Sequence, residues 1–157
     1  MKNQSFVILL ILFLVTSCDS NRVFEKNTDI SDNLWQKEHK PEFEFQITDT
    51  SLDYNIYYNL RNAVSYPFYN IYLTHYLKDS VGNLISTNLD ELTLFNPKTG
   101  QPYGKGMGDI FDHRIPMLTK YRFDQPGKYT IEVEHFMRMD ELPMIMAVGI
   151  RIERSNE

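Results

Sequence analysis

The sequence predicts an all-β fold, a single antiparallel β-sandwich of jelly-roll type with about eight or nine strands. Three observations predict it. Apolar residues recur at every second position in at least four segments, which is the period of a strand with one buried face. Sustained helical periodicity is missing. Turn-forming residues punctuate the chain at Asp79–Asn83, Asn96–Pro102, Asp124–Gly127 and Asp140–Pro143, at intervals typical of sandwiches.

Taken in order, Met1 to Ser17 reads as a cleavable signal segment. Lys2 and the amino terminus are positive, and Phe6 to Val15 is an apolar run. Such a run is shorter than the roughly 20 residues a helix needs to cross a bilayer, and it has the length of a signal-peptide core. It ends at Val15-Thr16-Ser17-Cys18, which resembles a bacterial lipobox: small residues before a cysteine whose sulfur accepts the lipid. Two or three acyl chains make anchoring stable where one is marginal. Residues 18–40 are then expected to be the lipidated N-terminus and a polar tether, although Val23 and Phe24 can begin a strand and Ser31–Lys37 can form a short helix. Asp19 directly after the cysteine leaves the choice of membrane open.

The sandwich itself is expected over residues 41–157. Phe43, Phe45 and Ile47 alternate with Glu44, Gln46 and Thr48, and Tyr54, Ile56, Tyr58 and Leu60 repeat the pattern. Phe68 to Leu77 is apolar on both faces, as a central strand can be. Asp124-Gln125-Pro126-Gly127 turns the chain between Tyr121 and Phe136. Near the end, Val148, Ile150 and Ile152 alternate with Gly149, Arg151 and Glu153.

Composition narrows the function classes. The 157 residues hold 16 basic and 21 acidic side chains, and Lys2 is the only charged one before Cys18. With no basic excess to release counterions from phosphates, nucleic-acid binding by bulk charge is not expected. Cys18 is the only cysteine, so a disulfide within the chain is impossible. A catalytic triad also lacks its nucleophile, because no Gly-x-Ser-x-Gly elbow occurs and Cys18 is committed to lipid. No enzyme activity and no cofactor are expected.

Several local clusters hold residue types that can carry chemistry. Gly104-Lys105-Gly106-Met107-Gly108-Asp109 holds three of the seven glycines. A phosphate cradle needs Gly-Lys-Ser/Thr opening a helix, which this is not. A turn, a bulge or a close approach of two backbones fits better, and Gly104, Lys105, Gly106, Gly108 and Asp109 form a possible interaction loop. Asp109, Asp112 and His113 could ligate a metal, but nothing completes the set, so no metal is expected. Glu132 and Glu134 share a face, expected to be solvated. Met137, Met139, Met144 and Met146 offer either adaptable docking surface or core filling. Tyr54, Tyr57, Tyr58, Tyr66, Tyr69, Tyr72 and Tyr76 suit sugar stacking or ordinary strands.

Together the local motifs resemble the gliding motility lipoprotein GldH family of the Bacteroidota. The resemblance rests on the lipobox, Tyr66-Pro67-Phe68-Tyr69-Asn70, Gly104 to Ile110, and Gln125-Pro126-Gly127-Lys128-Tyr129 with Ile131-Glu132. It continues through Phe136-Met137-Arg138 and Val148 to Glu153. Tyr103 stands where many members carry tryptophan. The resemblance implies a cell-envelope lipoprotein, anchored to the membrane through lipid on Cys18 and expected at the outer membrane. It also implies action with other gliding and type IX secretion proteins, without known catalytic residues. The residues by themselves leave a second reading, a cell-surface carbohydrate-binding sandwich with the tyrosines as platform.

Overall fold

The structure is a computed structural model and describes residues 19–155. Alternation builds its layers. β3 (Glu42–Ile47) buries Phe43, Phe45 and Ile47 and turns its glutamates outward. β4 (Tyr54–Ala63) buries Tyr54, Ile56, Tyr58, Leu60 and Asn62, and β9 (Gly127–His135) buries Tyr129, Ile131 and Val133. The remaining long strands are β1 (Arg22–Asp29), β5 (Asn70–Lys78), β6 (Leu84–Thr93), β8 (Ile110–Tyr121) and β11 (Ile145–Arg154). Three strands of three residues each complete the set: β2 (Leu34–Gln36), β7 (Lys105–Met107) and β10 (Glu141–Pro143).

One sheet runs β1-β11-β4-β8-β7 and the facing sheet β3-β9-β5-β6, every pairing antiparallel. Setting β7 aside, the eight long strands take the order of a double Greek key, the jelly roll. The count among the described residues is eleven rather than eight or nine. The excess is the three short strands, which are too brief to show a period.

The expected tether is corrected by the same topology. From Arg22 onward the chain belongs to the fold, because β1 pairs with β11 along its whole length, Arg22 opposite Glu153 and Asp29 opposite Ala147. Phe24 reaches the core, its ring 5.9 Å from that of Phe45. The helix considered near Ser31 is a single 3-10 turn, Ser31–Asn33.

The two ends of the sandwich differ. At one, here the near end, Arg22, Arg154, Tyr54 and Tyr121 lie in a row across the first sheet. Beneath them an aromatic cluster closes the core. Phe123 sits 4.6 Å from Tyr129, 4.9 Å from Tyr121 and 5.6 Å from Tyr54, centroid to centroid. At the far end, β2 and β10 pair as a two-stranded lid, Trp35 opposite Leu142. From that lid the Trp35 side chain enters the core and is fully buried. Its Nε1–H donates to the His39 carbonyl at 2.7 Å, and its ring packs edge-on against His135 at 5.1 Å. β8 alone spans roughly 35 Å from near end to far end.

Candidate functional site

Cys18 and the lipobox residues Val15, Thr16 and Ser17 lie outside the described residues. The glycine-rich stretch lies within them, at the far end. It is a hairpin: Lys105 pairs with Asp112, Gly106 with Phe111 and Met107 with Ile110, joined by Gly108-Asp109. Gly108 takes φ +70° at the first turn position, where tight hairpins use glycine. The other two glycines permit close approach. A Cβ on Gly104 would fall 2.8 Å from the Asp112 carbonyl and the His113 ring, and one on Gly106 would run into the Ile110 carbonyl and the Phe111 ring.

This hairpin carries an apolar tip. Met107 is 92% exposed and Ile110 opposite it is also exposed. The Asp109 carbonyl accepts from Val64 N–H at 2.7 Å, and the Met144 carbonyl accepts from Ala63 N–H at 3.1 Å. Val64 and Met144, both exposed, are thereby brought to the same corner. Met144 holds φ +65°, a conformation that a residue with a side chain seldom adopts.

A second apolar surface lies at the far end of the other sheet. Phe136, Leu89, Tyr72, Phe68 and Met139 line a groove of about 690 Å³, with Lys37 and Arg138 at its rim. Phe136 is 54% exposed, and Lys37 Nζ stands 6.0 Å from its ring centroid. The methionines divide between the two readings: Met137 is buried in the core and Met139 packs against it, while Met144 is exposed.

Charge is concentrated on the outer face of the first sheet. Arg151 on β11 is only 3% exposed although it points away from the core, because Asp19, Glu25 and Glu153 all accept from its guanidinium. Burial alone would lower the Arg151 pKa, but the three carboxylates outweigh it and keep the group protonated. The Arg151 hydrogen bond holds the Asp19 carboxyl below its usual range. At Glu25 burial pushes upward, and hydrogen bonds from Asn59, Arg22 and Arg151 reverse it. Beside this cluster a cleft of about 770 Å³ runs to the glycine hairpin, and Arg61 and Asp112, opposite each other on β4 and β8, line it as a two-pronged pair at 2.8 and 3.3 Å. Sequence reasoning placed Arg151 on the outward face but missed its partnership with Asp19. Its one visible signal is a lone cation in the apolar run Ala147–Ile152.

Other candidates are dispersed by the fold. Asp112 and His113 are neighbours on a strand and face opposite ways, Asp112 toward Arg61 and His113 into the core. Among the described residues no group of three or more His, Asp or Glu gathers in metal-binding geometry. Glu132 and Glu134 do share a face, but they are largely covered rather than solvated: Lys78 donates to Glu132 at 2.8 Å, and Lys40 at 3.0 Å and the Tyr76 hydroxyl at 3.0 Å reach Glu134. The tyrosines form no single platform. Tyr54, Tyr58 and Tyr66 are buried, and Tyr69 is exposed. Tyr58 ties the two sheets together, its hydroxyl donating to Asp90 at 2.8 Å and accepting from His75 Nδ1–H at 3.0 Å. Burial raises the Tyr58 pKa and lowers that of His75, so both stay neutral, and neither borders the cleft or the groove.

Comparison with known proteins adds the following. The sequence model of the family described as GldH lipoprotein matches residues 22–152. The gliding motility lipoprotein GldH homolog of Christiangramia forsetii is 30% identical, covering 96% of this chain and 95% of its own. The gliding motility lipoprotein GldH of Flavobacterium johnsoniae is 29% identical, covering 98% of both. Among solved structures, that of infectious bursal disease virus Gx strain matches with TM-score 0.36 and 12% identity, over 87% of this chain and 30% of that one. A likeness that weak carries no argument.

Proposed function

The chain belongs to the GldH lipoprotein family, and from that premise we propose that it is a lipid-anchored, non-enzymatic part of the gliding apparatus, acting through its far end on proteins of the gliding and type IX secretion machinery. Membership places it in the cell envelope, in a family named for gliding motility. The proposal adds the mode of action, the partners and the outer membrane as location.

The contact reading is carried by the exposed apolar tip at Val64, Met107, Ile110 and Met144. Solvent exposure of clustered apolar side chains at a corner stiffened by a close-packed hairpin is what a docking surface presents. Lys105 and Asp109, both exposed, flank it with opposite charges, which suit steering and register more than affinity. Two of the buried titratable groups, Tyr58 and His75, are engaged in holding the sheets together through each other and the half-buried Asp90, and neither borders the cleft or the groove, which supports a role without catalysis.

The test is partner recovery by chemical crosslinking in gliding cells. Lys105→Ala and Asp109→Asn are expected to reduce the recovered partner while the melting temperature hardly changes, since exposed charges contribute little to stability. Met107→Glu should abolish recovery. Undiminished recovery with normal gliding in all three would overturn the docking reading. A purified glycan that binds and stabilises the protein would favour the carbohydrate reading in its place.

A further inference from the structure

We propose that the folded body sits directly on the lipid surface that carries Cys18, near end down, and that the Asp19–Arg151 pair holds it in that pose. The inference rests on lipid attachment at Cys18 and names the face turned to the bilayer.

The first observation is covalent. One peptide bond separates Cys18 from Asp19, and Asp19 accepts a hydrogen bond from the guanidinium of Arg151. Arg151 is itself fixed by Glu25 and Glu153, so the attachment is to the sheet and not to a free side chain. The chain is pinned further on, where Arg22 N–H donates to the Asp19 carbonyl at 3.2 Å and Arg154 N–H to the Asn21 carbonyl at 2.8 Å. Successive Cα atoms are about 3.8 Å apart, so acyl chains on Cys18 begin within one residue's reach of the sheet. A flexible tether over residues 18–40 would have allowed a reach of roughly 25 Å. The fold consumes that length in β1, β2 and the segment leading to β3.

The second observation is topological. The connections β3–β4, β5–β6 and β8–β9 all turn at the near end, alongside Asn21 and Ser155, and give that end a broad base. The third is chemical. At the tip of the β5–β6 turn Val81 is 79% exposed, an apolar side chain able to enter a headgroup layer. Among the described residues at this end, Arg22, Lys78, Lys120, Arg122, Lys128 and Arg154 are matched by Asp19, Asp49, Asp53, Asp79, Asp124 and Glu153. The acidic excess of the chain therefore lies elsewhere, and the near end offers anionic headgroups no net repulsion.

The experiment uses the full-length protein purified from membranes and reconstituted in vesicles of phosphatidylethanolamine and phosphatidylglycerol. Mass spectrometry of the same sample reads acylation of Cys18. A fluorophore on Ser51→Cys reports the near end and one on Met107→Cys the far end, each exposed to a nitroxide quencher on the lipid headgroups. Several-fold stronger quenching at the near end is expected. A Gly-Ser insertion of about ten residues between Cys18 and Asp19 should lower it toward the far-end value. Acylated protein quenched equally at both ends, or more at the far end, overturns the pose and leaves the lipid anchor standing. An insertion without effect overturns the role of the Asp19–Arg151 pair. Absence of acyl groups from Cys18 overturns both the anchor and the pose. Ser51 and Met107 are exposed, so the labelled variants should melt as the parent does.

Discussion

His75, His113 and His135 are buried in the sandwich, and burial draws each pKa below the ordinary 6.5; Asp90 at His75 and Asp112 at His113 offset part of that pull. In the unfolded chain these rings take up protons near their ordinary value, which the folded state refuses until the pH is lower. The unfolded state therefore binds more protons just below that value, and stability falls with pH there. The melting temperature is expected to be level above about pH 7 and to decline between about pH 6.5 and pH 5, before carboxylates titrate. His135→Phe should flatten the decline, and a melting temperature constant over that window would contradict the reading. Two glycines make a second contrast. Gly108→Ala meets no neighbour but must hold φ +70°, at a cost of about 1–2 kcal/mol. Gly149→Ala would drive a methyl group into Asn27 and the Lys26 carbonyl in the middle of the β1–β11 pairing, and should cost about 3 kcal/mol or more. Chemical denaturation of the two variants gives the order directly, and a milder Gly149→Ala would contradict it.

β1 is the element whose removal separates a tether from a structural strand. Deleting residues 19–29 would leave β11 as a bare edge and take Phe24 from the core, so cooperative unfolding should be lost. A tether would leave the melting temperature unchanged; calorimetry distinguishes the two. That strand was also among the least legible in the sequence. Arg-Val-Phe-Glu-Lys-Asn-Thr-Asp shows little alternation because an edge strand is half solvated and inward burial falls only on Val23 and Phe24. β3, β4, β9 and β11 were legible because one face of each is buried against the opposite sheet, which imposes the two-residue period. β8 hid its period behind Pro116 and the register shifts opposite Tyr54–Tyr57. The glycine hairpin could be read as a close approach of backbones from glycine density alone. The Asp19–Arg151 contact could not, because it joins the two ends of the chain and exists only once β1 lies on β11. The groove at Phe136 is likewise assembled from segments that only the double Greek key brings together.

Over the whole molecule, exposed apolar side chains gather at both ends, at the far-end corner and at the near-end β5–β6 turn, where Val81, Leu84 and Ile85 are exposed. The near end offers arginines, aspartates and the chain leading to Cys18, and the far end offers Met107, Ile110, Val64 and Phe136. With the far end docking partners and the near end turned to lipid, a photo-crosslinking residue at Met107 should capture protein partners in gliding cells and one at Ser51 should not; equal capture at both would contradict that division. The pairing of β1 with β11 has a further effect, on timing. In a chain delivered across a membrane N-terminus first, Arg22 emerges long before its opposite residue Glu153. β4 waits as long, since it needs β11 on one side and β8 on the other. Folding must then be a late, nearly all-or-none event dominated by contacts distant in sequence, and slow for that reason. Throughout transit the alternating strands lie open to mispairing. A cell making this protein must keep a long, sticky, unfolded chain beside the membrane until the ten residues of β11 arrive, so nascent chains halted before Ile145 should stay protease-sensitive however long they are left.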